Sequence, residues 1–429
     1  MKIILLLIII LLLNLIDINK RWDAKLNTEY VKGSSFFTEI NKNHKQYPYL
    51  QEDIETDVVV IGGGVTGAIM AYYFSKNNIN TVILEKGRIA HLSTGITTSL
   101  LQYELDSNVA ELMSYTKFSN VKRSYELGIK ALHEIDNIIN LHGNKCDYHK
   151  VDTLLYSNKE LEIDEMKKEY DFRKEWGLNV EYITSKNNPY EFELKAGLRG
   201  IDGGIILDPF KFTHEILDIS VNNGTKVYEN TEVTDINYSS TYATVNTVYG
   251  NKVKCKIVIV ATGYDTQGFT KRNFGVKTTT FNIATSSITN IPDIYKKTVI
   301  RDNKDPYNYL RTTEDNRIII GGEDINFIPD IENEYLCEEQ YMKLKTTLKR
   351  MFPHMNYSID YKYCGAFAST KDNLGFIGPD PSKPMQWYAL GYGANGILFA
   401  ILAGLMLSDK YLGNEDPDMK LFSITRFDN

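Results

Sequence analysis

Cysteine, histidine and excess positive charge are what this sequence has little of. Its four cysteines, Cys146, Cys255, Cys337 and Cys364, lie far apart without a C-x-x-C pair, and seven histidines are scattered among 429 residues. No metal-ligand spacing results, so no metal is expected. The thiols suit a free state in a reducing compartment, with a bridge left open. The formal net charge of −7 leaves out the basic face that a phosphate backbone requires, so no nucleic-acid partner is expected. No uninterrupted apolar run reaches the length of a spanning helix either. Residues 3–13 are apolar throughout and extend to Ile16 across Asn14, fourteen residues in all, where a span needs roughly 17–25. No A-x-A-like cleavage site follows. Residues 1–19 therefore read as an uncleaved membrane anchor or interfacial helix, against the alternatives of a non-native start or a segment packed on the body. If the run inserts, Lys20, Arg21 and Lys25 keep the protein cytoplasmic, tethered to the inner face of the membrane through residues 3–16.

What is there is an ordinary globular composition, 43% hydrophobic and 24% charged, in a chain long enough for two cores. The stretch Asp57–Lys86 organises it. Asp57–Ile61 is a short β-branched run, the pattern of a buried parallel strand. Gly62, Gly64 and Gly67 follow at GxGxxG spacing and open a helix. The first glycine permits a tight turn, the second lets a pyrophosphate approach, and the third lets the helix pack on the sheet. A second strand, Thr81–Leu84, ends in Glu85, whose carboxylate can accept both ribose hydroxyls of an adenosine and would repel a 2′-phosphate. The glycines alone are weak evidence; with strand, helix and acid in place they point to a dinucleotide.

Beyond Glu85, Ser93, Thr94, Thr97 and Thr98 form a small hydroxyl-rich loop entering a helix expected around Thr98–Leu105. These hydroxyls suit bonding to phosphate or ribityl oxygens, or plain N-capping. His91 reads as a surface or packed histidine. Val109–Leu141 has apolar residues at helical intervals and is one long helix, or two with a break. Tyr156–Trp176 is helical and charge-rich, and Glu160, Glu162, Asp164, Glu165, Lys167 and Lys168 read as a solvated face. Pro209 starts a helix to about Val221. Strands are expected at Thr225–Tyr228, Glu232–Tyr238, Lys256–Val260, Ile283–Ile288, Lys297–Arg301, Tyr307–Thr312 and Arg317–Gly321, with a helix at Asn333–Met351. Gly321–Gly322 lacks a completing glycine, so a second nucleotide fold is not evident. Near the C-terminus, strand Tyr388–Leu390 leads through Gly391, Gly393 and Gly396 into an all-round apolar helix, Ile397–Leu412, which is a core element.

Together, Gly62/Gly64/Gly67 with Glu85, the Ser93–Thr98 loop, Ala261–Thr262–Gly263, Tyr309–Leu310–Arg311, Gly321–Gly322, Asp372–Gly378 and Gly391–Gly396–Ile397 resemble the FAD-dependent amine and amino-acid oxidases of the D-amino-acid oxidase superfamily, which includes glycine and sarcosine oxidases. The resemblance implies a mixed α/β fold, with a Rossmann-like FAD-binding domain from residues 56–145, 203–270 and 366–425. A second, antiparallel-sheet substrate domain would come from 146–202 and 271–365, with 20–55 a linker or arm. It implies a cofactor site that adds Val65, Thr66, Lys86, Val233 and Asn395 to the residues above. Sarcosine oxidases carry a lysine where this chain has Asn395, and the cysteine that attaches their flavin has no clear counterpart, so FAD is expected to be non-covalent.

The implied reaction is oxidation of the C–N bond of a small amine or amino acid by hydride transfer to flavin N5, giving an imine, with O2 or another acceptor taking the electrons. Alternatives are a flavin dehydrogenase feeding a membrane quinone or carrier protein, and a non-catalytic dinucleotide-binding protein. A carboxylate-bearing substrate would need a cation, and Arg311 is the first choice, with Tyr309 and Lys371 as weaker ones.

Overall fold

The computed structural model describes residues 30–428; the expectations for the apolar run 3–16 and for the start of the arm at 20–29 fall outside the described residues. Among these, no helix is long and apolar enough to cross a membrane. The β-branched run Val58–Ile61 is buried throughout and lies between Thr81–Leu84 and Ile257–Val260, parallel to both. Lys226–Tyr228 and Lys383–Leu390 extend the sheet in parallel on either side, and Phe376–Asp380 closes one edge antiparallel. A parallel sheet needs both faces covered. The Val65–Lys76 and Gly396–Tyr411 helices, almost wholly buried, pack together on one face. A four-stranded sheet, which carries Ala243–Thr247 and Lys252–Cys255, supplies the apolar residues against Val59, Val82 and Val258 on the other.

The second large element is a ten-stranded sheet, antiparallel except where Thr298–Asp302 runs parallel to His149–Ser157. Its register decides which side chains reach the cavity. Ile300, Leu310 and Ile320 stand side by side and, with Phe281 and Ile283, pack beneath Leu344 and Leu348 of the Glu334–Met351 helix. Because successive residues alternate faces, the neighbouring row, Arg301–Tyr309–Gly321–Asn282, turns to the opposite side. The arm joins this sheet: Val31–Gly33 pairs with Ile359–Ser369, and Phe36 and Phe37 are buried in the main core. Gly203–Ile206 is the end of the long strand Ala196–Ile206, also in this sheet. All four cysteines are free and buried.

One expectation is corrected. The segment expected to be helical around Thr98–Leu105 is a strand, Leu100–Gln102, antiparallel to Gly204–Ile206. Ser99 sits at φ +53°, which ends the short Ser93–Ile96 helix's continuation, and pairing distant in sequence then outweighs local helix preference. The charged helix Ile163–Glu175 does keep Asp164, Glu165, Lys167 and Lys168 exposed. Its next turns, however, bury a charge cluster that the sequence reading missed. Arg173 donates from Nη1 to Glu104 Oε1 and from Nε to Glu169 Oε1, both at 2.9 Å. Glu169 also accepts from the Val109 amide at 2.7 Å and from the Tyr125 hydroxyl at 3.2 Å. Arg173→Ala would leave two buried carboxylates without their cation, and is expected to cost about 3–5 kcal/mol in a denaturant titration. Lys168→Ala on the exposed face should stay within about 0.5 kcal/mol.

Candidate active site

A cavity of about 390 Å³ runs from the carboxyl ends of the parallel strands to the polar row of the ten-stranded sheet. Strand Val58–Ile61 delivers Gly62 at φ +111°, where a Cβ would fall 2.4 Å from the Ala261 carbonyl oxygen. Inside the helix, a Cβ on Gly67 would fall 1.9 Å from the Gly62 oxygen, so this glycine packs helix on strand and does not line the cavity. Between them the helix N-terminus stays open, the arrangement that receives a phosphate group. Thr94 Oγ1 accepts the Val65 amide at 3.0 Å. The hydroxyl loop therefore caps the fingerprint helix, not a helix of its own. Glu85 accepts the Gly63 amide at 2.6 Å and the Gly87 amide at 2.7 Å. Burial pushes its carboxyl up while these two amides pull the other way.

Of the expected cofactor residues, Gly62, Gly64, Val65, Thr66, Glu85, Lys86, Ser93, Thr94, Thr97, Thr98, Val233, Ala261, Thr262, Gly263, Gly391, Gly393, Gly396 and Ile397 all line this cavity. Lys86 is tied to Asp265 at 2.6 Å. Asn395 does not line it; its amide donates to the Glu104 carbonyl at 2.8 Å and holds the second glycine turn in place. Two glycine turns, one at each flank of an open cavity with an acid at its end, fit an extended dinucleotide such as FAD.

The substrate candidates divide differently. Tyr309 lines the cavity. Lys371 is exposed in a turn away from it. Arg311 is also away: Nη1 donates to the Ser99 and Leu207 carbonyls at 2.9 Å, and the guanidinium lies over the Phe37 ring. It shares a sheet face with Tyr309, but two residues along a strand is about 6.6 Å, and that row is closed by Ile319 and the arm. Burial pulls Arg311 down to about 10 while the charge of Asp208 acts the other way, so it remains a structural cation.

The residues that do face the cavity here were not singled out from sequence: Thr280, Asn282, Arg301, Tyr307 and Asp324. Arg301 Nη1 donates to the Leu105 and Asp106 carbonyls at 3.1 and 2.6 Å, while its Nε is buried without a partner among the described residues. Tyr307 donates to Asp106 Oδ1 at 3.0 Å, and Asp106 Oδ2 accepts the Ala394 amide at 3.1 Å. Desolvation raises Tyr307 and Tyr309 well above the usual phenol range, so both stay protonated. It also raises Asp324, to about 6. A sequence signal existed in the strands at Lys297–Arg301 and Tyr307–Thr312; that Arg301 stands opposite Tyr309 is a matter of register. Gly64→Val places a branched side chain in the phosphate position. The variant is expected to fold with the thermal midpoint of flavin-free wild type, within about 2 °C, and to elute from gel filtration without bound flavin.

The comparisons with known proteins agree with this geometry. Residues 57–410 match the family described as DAO, FAD dependent oxidoreductase. The chain is 24% identical over 365 residues to the glycine oxidase of Bacillus subtilis (strain 168), covering 84% of this chain and 94% of that protein. It is 26% identical over 399 residues to the gamma-glutamylputrescine oxidoreductase of Escherichia coli (strain K12), covering 89% and 90%. The crystal structure of glycine oxidase from Geobacillus kaustophilus superposes with a TM-score of 0.73 at 19% identity, over 87% of this chain and 99% of that one, which establishes the shared fold. With a family match across most of its length and a cavity built around the dinucleotide fingerprint, this chain is an enzyme of the FAD-dependent oxidoreductase (DAO) family.

Proposed function

We propose that the enzyme oxidises the C–N bond of a small amine or amino acid to an imine, with O2 as the electron acceptor. The observation that carries this reading is the row of polar side chains at the cavity end away from the fingerprint, Arg301, Tyr309 and Asn282, with Tyr307 and Asp324 beside it. The names of two relatives, glycine oxidase and gamma-glutamylputrescine oxidoreductase, support the substrate class. FAD, when bound, supplies the hydride acceptor. The chain's own residues bind and orient. The protonated Tyr307 and Tyr309 donate or accept hydrogen bonds and do not act as bases. Arg301, held by two carbonyls, leaves Nε for a substrate oxygen. No side chain has to remove a proton if the amine binds neutral. No cysteine lines the cavity, which supports non-covalent FAD, released by acid precipitation.

Anaerobic mixing of the holoenzyme with a panel of glycine, sarcosine, alanine enantiomers and short aliphatic amines should bleach the flavin with at least one of them. Readmitting air should return the yellow colour with one peroxide per substrate. Bleaching without peroxide would move the acceptor to a carrier or quinone. No bleaching by any compound would overturn the reading.

A further inference from the structure

We propose that Asp324, together with the Tyr309 hydroxyl and the Asn282 side-chain oxygen, forms a receptor for a positively charged nitrogen, so that the preferred substrates are diamines. This rests on the proposed C–N oxidation and adds the substrate class. Asn282 is 1% exposed, lines the cavity, and its Oδ1 has no hydrogen-bond partner among the described residues. A buried amide oxygen without a partner is costly, and a donor arriving with the substrate would relieve that cost. Gly321, its cross-strand neighbour, has no side chain to fill the space. A Cβ there would sit 2.3 Å from Asn282 Oδ1 and 2.6 Å from the Tyr309 hydroxyl. The Tyr309 hydroxyl in turn lies 3.4 Å from Thr280 Oγ1.

Asp324 reaches the same cavity end because the strand bulges. The register between Val276–Thr285 and Ile318–Asn326 slips between Thr279 and Phe281, and Glu323 takes φ +54°. Such a bulge re-aims the next side chain. Asp324 accepts from Thr278 Oγ1 at 3.1 Å and from the Thr280 hydroxyl, and among the described residues no lysine, arginine or histidine forms an ion pair with it. The charges that act on it are those of Asp106 and Glu323, of its own sign. Arg301, the basic side chain at this end, already sits against Asp106 and two carbonyls. Arg301 thus answers Asp106, and Asp324 has no cation of its own among the described residues.

An ammonium brings three donors and no acceptor, and so matches three oxygens; a carboxylate would be repelled. The nitrogen whose carbon loses hydride must carry a free lone pair, hence be neutral. The charged nitrogen at Asp324 is therefore a second one.

The test uses the holoenzyme with 1,4-diaminobutane and butylamine, which differ only in the second nitrogen. Wild type should favour the diamine in kcat/KM by about 30-fold or more. In Asp324→Asn, of similar size, that ratio should collapse to within about threefold, mainly through KM. Asp324→Glu should keep part of it, and FAD content should match wild type in both. Equal use of the two amines by wild type, or an unchanged ratio in Asp324→Asn, overturns the receptor. Bleaching by amino acids alone overturns the diamine class and leaves C–N oxidation standing. Bleaching by neither class overturns both.

Discussion

The peptide segment Glu104–Asp106 is hydrogen-bonded on one side to the second glycine turn and on the other to the polar row of the large sheet. The Glu104 carbonyl takes the Asn395 amide, and Asp106 Oδ2 takes the Ala394 N–H. The Leu105 and Asp106 carbonyls take Arg301, and Asp106 Oδ1 takes Tyr307. Buried main-chain groups must be paired, and here the pairing fixes two sheets against one another at the cavity. The segment is itself held from behind, where the Glu104 side chain accepts from Arg173 and from Thr153 Oγ1 at 2.6 Å. Desolvation raises the Asp106 carboxyl, and Arg301, the Ala394 amide and Tyr307 draw it back.

This joint explains why a site drawn from so many parts of the chain can be specific. The fingerprint supplies a cradle through backbone geometry, and the large sheet brings polar side chains to the cavity in register. Neither alone places a substrate against a cofactor. The separation of tasks also accounts for the charges: those near the fingerprint are matched, as in Lys86–Asp265, while Asp324 at the far end is not.

How much of this could be read from sequence follows the range of the interactions involved. The fingerprint was legible because strand, glycines, helix and Glu85 are consecutive and each has a local physical reason. The cavity-lining Ser93–Thr98 hydroxyls were legible by position, but Thr94 capping the fingerprint helix was not, since the two segments meet only in the fold. Arg311 was assigned to the substrate because it lies on the right strand and face; only register shows that Arg301 occupies the open row and Arg311 the closed one. Asn395 was expected to touch the cofactor and instead grips Glu104. Glu169 and Arg173 look like their exposed helical neighbours in sequence, and their burial comes from Tyr125 and Glu104, distant along the chain.

The central claim is that Glu104–Asp106 sets the placement of the polar row of the large sheet against the second glycine turn. Asp106→Ala removes the two hydrogen bonds of that carboxylate, from Tyr307 and from the Ala394 N–H, without touching the fingerprint, so its anaerobic flavin-reduction rate is the direct measurement. With the amine that reduces wild type fastest, the variant should retain stoichiometric FAD and reduce about 100-fold more slowly, the scale of a misplacement near 1 Å. Reduction within about twofold of wild type, at equal FAD content, would contradict the account.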